Sequence, residues 1–145
     1  MARVNKTIVI RAPLKEVYDY IDDPKNAPEW IGDVIEVQNI KGAGAQRRFD
    51  WTFKVAGIRL KGENRYTQDI PGKRIVVEGR SWIGPESTWT FNFEQRRDDT
   101  VLNLDIDYTV PVPVIGKLAE KALLKRNERQ TDQNLRKLKK ILDAW

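Results

Sequence analysis

The chain contains neither histidine nor cysteine, and that absence removes whole classes of chemistry. No Ser–His–Asp or Cys–His arrangement can activate a nucleophile, no His/Cys metal site can form, and there is no thiol or disulfide chemistry. A metal held by carboxylates alone would need acids that converge. The paired acids Asp22-Asp23 and Asp98-Asp99 instead fall at turns, where a carboxylate caps a helix or closes a bend. Asp105 and Asp107 lie opposite Leu104 and Ile106 on a strand and belong to its solvated face. Neither a metal nor a cofactor is expected. Glu78 and Arg80 share a strand face with Trp82. Turned inward, Glu78 would be a general base and Arg80 an anchor for an acidic head group. The outward reading is preferred, because Ile75 and Val77 then point to the core. Tyr66 is the third weak catalytic candidate.

The stronger candidates are aromatic. Trp51, Phe53, Tyr66, Trp89, Phe91 and Phe93 stand on alternate positions of strand-like segments. Each would contribute on the order of 1.5–3 kcal/mol when enclosed, whether it fills a core or lines a site. Asn64 and Gln68 share parity with Leu60 and Tyr66, so both are expected to face inward. A buried amide left unsatisfied costs about 1–3 kcal/mol, so each needs a structural hydrogen bond, a trapped water or a ligand group. The loop Gly42-Ala43-Gly44 lacks the Gly-Lys-Ser/Thr ending of a nucleotide loop and reads as a strand connection.

The elements that must position these residues follow from changes of period. Lys6 to Ile10 reads as a first strand. Ala12-Pro13 opens a short helix with Val17, Tyr18 and Ile21 on one face, and Asp23-Pro24 opens a second with Ala27, Trp30 and Ile31 inward, stopped at Gly32. The period then becomes two. Strands are expected at Val34–Ile40, around Phe49–Val55, at Ile58–Gln68 after an Ala56-Gly57 turn, at Arg74–Ile83 after a type II turn at Pro71-Gly72, around Trp89–Phe93, and at Leu102–Val110. Short turns force neighbouring strands antiparallel, and one apolar face per strand marks a sheet wet on the other side.

The last segment, from about Pro113 to Trp145, reads as one helix roughly 48 Å long. A domain of this size has a radius of gyration of only about 15 Å, so the helix must cross the molecule and a curved sheet must wrap it. Early apolar positions (Ile115, Leu118, Ala119, Ala122, Leu123) and late ones (Leu135, Leu138, Ile141, Leu142, Trp145) lie on different sides of the helical wheel. Asn127, Gln130, Thr131 and Asn134 join them. Amides in that stripe suit a helix roofing a partly wet cavity; a kink or exposure is the alternative. The net charge of +5 also concentrates here. Residues 1–112 carry 17 basic and 17 acidic side chains, residues 113–145 carry 9 and 4. A basic helix is either a solvated outer face or a docking surface for an anionic partner.

Ile8-Val9-Ile10-Arg11-Ala12-Pro13 with Val17-Tyr18-Asp19-Tyr20-Ile21, then Asn26-Ala27-Pro28-Glu29-Trp30, Gly116-Lys117-Leu118 and Leu135-Arg136-Lys137-Leu138-Lys139, resembles the polyketide cyclase/dehydrase (SRPBCC) family. That family sits in the START and birch-pollen-allergen-like superfamily. The resemblance covers essentially the whole chain. It implies an α+β helix-grip fold, in which a curved seven-stranded antiparallel sheet wraps a long C-terminal helix and two short helices lie between strands 1 and 2. It also implies a single START-like ligand-binding domain over residues 1–145. Members include lipid carriers, ubiquinone-binding proteins, plant hormone receptors and aromatic-ring cyclases, so fold analogy alone does not choose among functions.

The expected function is binding or carriage of a small lipophilic molecule between sheet and helix. Trp51, Phe53, Trp89 and Phe91 would give apolar walls, and Asn64, Tyr66 and Asn127 orienting polar contacts. The first alternative is a polyketide aromatase/cyclase, for which Glu78, Arg80 and Tyr66 are the candidates, Glu78 serving a dehydrating cyclisation. The second is a module docking its basic helix, through Lys121, Lys125 and Arg129, on a membrane, RNA or protein. The expected partner is the lipophile, with peripheral membrane contact through that helix allowed and no nucleic acid expected. No apolar run approaches the ~20 residues of a membrane span, the N-terminus lacks a signal-peptide pattern, and cysteine is absent; a cytoplasmic location is therefore expected.

Overall fold

The computed structural model describes residues 2–55, 57–81, 86–109 and 112–143, without the side chains of residues 55, 58, 81, 112–117, 119 and 120. Ala56, Trp82, Ile83, Val110 and Trp145, and the side chains of Ile115 and Ala119, therefore lie outside the described residues.

Seven strands form one antiparallel sheet: β1 (Ala2–Ile10), β2 (Val34–Lys41), β3 (Arg48–Val55), β4 (Ile58–Ile70), β5 (Arg74–Ser81), β6 (Glu86–Arg96) and β7 (Asp99–Tyr108). Strand order is β1-β7-β6-β5-β4-β3-β2. From β2 onward the chain is a meander, whereas β1 and β2, consecutive in sequence, occupy opposite edges. Helix α1 (Leu14–Asp22), a 3-10 turn (Pro24–Asn26) and helix α2 (Ala27–Trp30) span the distance between those edges. The long helix α3 (Val112–Leu142) lies over the concave face. This is the helix-grip architecture, α+β with the helices on one side of a curved, open sheet. Strand β1 begins at Ala2 rather than near Lys6 because its pairing with β7 runs on to Ala2–Tyr108.

The turns follow their residues. Pro71-Gly72 closes with the Lys73 N–H donating to the Ile70 carbonyl at 2.9 Å, and Gly72 has φ +71°, the left-handed value that a type II turn demands of its third residue. Asp23 accepts from the Lys25 backbone N–H at 3.0 Å, capping the turn that Pro24 begins.

The packed core sits at one end of the bowl. Leu102, Leu104, Ile10, Val17 and Ile75 are buried against Leu135, Leu138 and Leu142 of α3, and Phe93 meets Tyr18 edge-on with ring centres 5.5 Å apart. Lys6, on β1, clasps the same helix through Glu128 at 3.1 Å and Asp132 at 3.5 Å. The N-terminal half of α3 behaves differently. Leu118 is 87% exposed and Ala122 is exposed as well. The apolar stripe drifts around the helix, and among its described side chains Leu124 and, further on, Leu135, Leu138, Ile141 and Leu142 meet the core.

Candidate functional site

Between the concave face and helices α2 and α3 lies a cavity of about 430 Å³, within the ~300–1,000 Å³ usual for a small-molecule site. Among the described side chains of α3, Leu135, Leu138 and Leu142 are packed into the core, whereas Leu123, Asn127 and Gln130 line the void.

Trp51, Phe53, Trp89 and Phe91 all line this cavity. Trp51 and Phe53, two residues apart on β3, stack with ring centres 4.2 Å apart and planes 19° from parallel. Trp89 and Phe91 on β6 meet Trp30 of α2 edge-on, at 6.5 and 6.2 Å. Phe91 is buried, whereas Trp51, Phe53 and Trp89 are half-buried and border the void. Core and cavity wall are thus parts of one aromatic surface. Trp30 belongs to the wall too; nothing local in the sequence marked it as more than the inward side of a short helix.

Asn64, Tyr66 and Asn127 also line the cavity. The Tyr66 hydroxyl donates to the Asp22 carbonyl oxygen at 2.8 Å; its ring receives the Arg47 guanidinium at 5.1 Å, and burial pushes its pKa up. Gln68 does not join them. A bulge between Tyr66 and Gln68 shifts the register, so Gln68 is exposed; one extra residue reverses the facing that strict alternation assigns.

The roof is polar, as the joining stripe of α3 suggested. Asn127, Gln130, Thr131 and Asn134 line the void, and Thr131 and Asn134 are buried. Asn134 Oδ1 accepts from the Gly32 N–H and from Gln130 Nε2, both at 2.9 Å. Two turns away Arg126 donates to both carboxylate oxygens of Asp33 at 3.3 Å. These contacts fasten α3 to the connection between α2 and β2.

Glu78 and Arg80 stand on the convex face, exposed, with Glu78 3.5 Å from Arg65 and Arg80 3.4 Å from Glu86. Ile75 and Val77 are buried on the other side. Tyr66 is therefore the one member of that trio at the cavity. Lys121, Lys125 and Arg129 are exposed on the outer side of α3.

One polar cluster was not legible in the sequence. Asp22, read as a capping residue, instead ends α1 beside Asp69 of β4. Tyr18 donates its hydroxyl to Asp69 Oδ1. Arg47 donates to the Asp22 carbonyl at 2.7 Å and sits 3.3 Å from its carboxylate. Burial, then a hydrogen bond to Asp69 and repulsion from it, push the Asp22 carboxyl up to about 7 against the pull of Arg47. Asp23 took the capping role one residue later, and no local pattern announces a partner on a distant strand. Among the described residues no group of three acids converges where a metal ion could sit, and no helix is long and apolar enough to cross a membrane.

Comparison with known proteins agrees with this geometry. A family model described as polyketide cyclase / dehydrase and lipid transport matches residues 1–143. No curated protein matches the chain in sequence. Among solved structures, TTHA0849 of Thermus thermophilus is similar at TM-score 0.81 and 19% identity, covering 99% of this chain and 98% of that one. The Zhui aromatase/cyclase of a Streptomyces species is similar at TM-score 0.79 and 14% identity, covering 98% and 93%. A START superfamily protein of Mycobacterium smegmatis is similar at TM-score 0.72 and 16% identity, covering 98% and 94%. At these identities the likeness is one of fold.

Proposed function

The chain belongs to the polyketide cyclase/dehydrase and lipid-transport family, and from that premise we propose that it binds or carries one small lipophilic molecule, as a single ligand-binding domain over residues 1–145. The observation that carries the reading is the aromatic-walled cavity of about 430 Å³ under α3. Apolar walls supply affinity by removing a guest's surface from water. A few polar groups orient it.

The competing reading is an aromatase/cyclase activity, the activity named for the Streptomyces neighbour. It needs an ionisable side chain facing the guest. Glu78 and Arg80 are on the far side of the sheet, and the ionisable groups on the wall, the Tyr66 hydroxyl and the Arg126–Asp33 pair, are already engaged, the first with Asp22 and the second with each other. Both observations favour carriage. The test is native mass spectrometry of the purified protein with organic extraction. One lipophile per chain is expected; no adduct, together with no saturable uptake of a neutral fluorescent lipophile, would overturn the reading.

A second reading concerns the outer side of α3. Leu118, Lys121, Lys125 and Arg129 fall on one stripe of the helix, and all four are exposed. That stripe supports peripheral contact with an anionic membrane surface, and a cytoplasmic location goes with it. Co-sedimentation with phosphatidylserine-containing vesicles is expected to weaken with salt and to vanish in K121Q/K125Q/R129Q; unchanged sedimentation of that variant removes the reading.

A further inference from the structure

One polar line crosses the otherwise apolar concave face. The pairings Phe49–Asn64, Asn64–Gly79, Gly79–Ser87 and Ser87–Tyr108 set these residues side by side on β3 to β7. The adjacent line, Tyr66, Val77, Trp89, Ile106 and Val4, is apolar apart from one hydroxyl. At the centre of the polar line stands a glycine. A Cβ at Gly79 would lie 2.7 Å from Asn64 Oδ1 and 3.0 Å from Ser87 Oγ, so these two side chains lean together over bare backbone.

The line is also short of partners. Among the described residues four buried side-chain polar atoms have no hydrogen bond: Trp51 Nε1, Asn64 Oδ1, Tyr108 Oη and Asp22 Oδ1. The first three belong to cavity-lining residues, and two of them, Asn64 and Tyr108, are on the polar line. Trp51 is the neighbour, its indole nitrogen lying over Gly62 of the same strand as Asn64. Buried polar groups are almost always paired in folded proteins. Three unpaired ones, each on a side chain that lines the same void, mark a place where a small turn of those side chains lets a guest supply what the protein lacks.

The charge around them sets the kind of guest. Among the described residues the one cation on the cavity wall is Arg126, and Asp33 holds it with two contacts of 3.3 Å. A carboxylate or phosphate brought to the polar line would lose its water with no counter-charge to meet it. A hydroxyl needs no counter-charge: it can donate to Asn64 Oδ1 and accept from a neighbouring hydroxyl or indole N–H. Resting on the binding function proposed above, we infer that the guest is a lipophile with an uncharged oxygen-bearing head, and that this head docks over Gly79 between Asn64 and Ser87.

The test compares pyrene, 1-pyrenemethanol and 1-pyrenecarboxylate at neutral pH, read by energy transfer from the cavity tryptophans to the pyrene. Pyrenemethanol is expected to bind at least about tenfold more tightly than pyrene, and pyrenecarboxylate more weakly than pyrene. In Asn64→Leu the ratio of pyrenemethanol to pyrene affinity is expected to fall towards one. Ser87→Ala gives a second reading of the same ratio should the first variant fail to fold, and a structure of the pyrenemethanol complex should place its oxygen over Gly79. Equal affinity for pyrene and pyrenemethanol, an undiminished ratio in both variants, or tightest binding of the carboxylate overturns the assignment while leaving the binding function intact. If none of the three probes saturates, both fall together.

Discussion

Asn134 of the long helix accepts the backbone N–H of Gly32 at 2.9 Å, a contact that joins residues 102 positions apart and closes one side of the cavity. Replacing Asn134 with alanine leaves that N–H without its protein partner and removes the acceptor of Gln130. The expected cost is about 1–2 kcal/mol, measured by urea unfolding, together with faster release of a bound pyrene probe. A variant as stable as the parent would show that solvent replaces the contact fully.

The second prediction concerns pH. The Asp22 carboxyl is raised from 3.8 to about 7, so the folded protein holds a proton that the unfolded chain gives up. Stability from this group is full below the ordinary value, declines above it, and is gone once the pH has risen through about 7. Asp69, Tyr18, Tyr66 and Arg47 surround it. Asp22→Asn, neutral throughout, is expected to match the parent near pH 4 and to exceed it at pH 8 by about 1–2 kcal/mol, a value discounted for partial solvent access. The difference between the two urea-unfolding curves across that range is the readout; parallel curves would contradict the assignment.

Close packing under the indole of Trp51 gives a third. A Cβ at Gly62 would fall 2.7 Å from Trp51 Nε1 and 2.8 Å from the Arg80 carbonyl oxygen. The backbone atom cannot move aside, so Gly62→Ala must shift a strand or push the indole into the void. A loss of about 1–3 kcal/mol is expected, with a changed near-ultraviolet circular dichroism from the displaced tryptophan. An unaltered spectrum at unaltered stability would be the contrary result.

The two halves of α3 should also separate in mutation. Leu138 is fully buried and Leu118 is 87% exposed. Leu138→Ala is expected to cost about 2–5 kcal/mol and Leu118→Ala less than about 0.5 kcal/mol, by thermal or urea unfolding. Comparable losses would mean that the N-terminal half is packed in solution.

Legibility followed the range of the interactions. The strands, the turn at Pro71-Gly72 and the amide stripe on the last helix are written in local period and local backbone need, and they could be read from neighbouring residues alone. Parity likewise placed Trp51, Phe53, Asn64, Tyr66, Trp89 and Phe91 on one face, and the structure brings all six to the cavity. Gln68 escaped because a single bulge breaks parity without a residue type that announces it. Asp22 escaped because its partners Arg47 and Asp69 are assembled only by the fold. The exposure of Leu118 could not be read either way, because a helical wheel records which residues share a side and says nothing of whether that side is covered.

The placing of β1 and β2 at opposite edges has a bearing on how a guest comes and goes. No ladder joins those two strands, so a passage opened between them would leave every rung of the sheet intact. Arg126 to Asp33 and Asn134 to Gly32 latch α3 to the β2 side of that seam, as Lys6 to Glu128 and Asp132 latch it to the β1 side. The pace of exchange would then be governed by those latches, while the sheet kept its shape throughout.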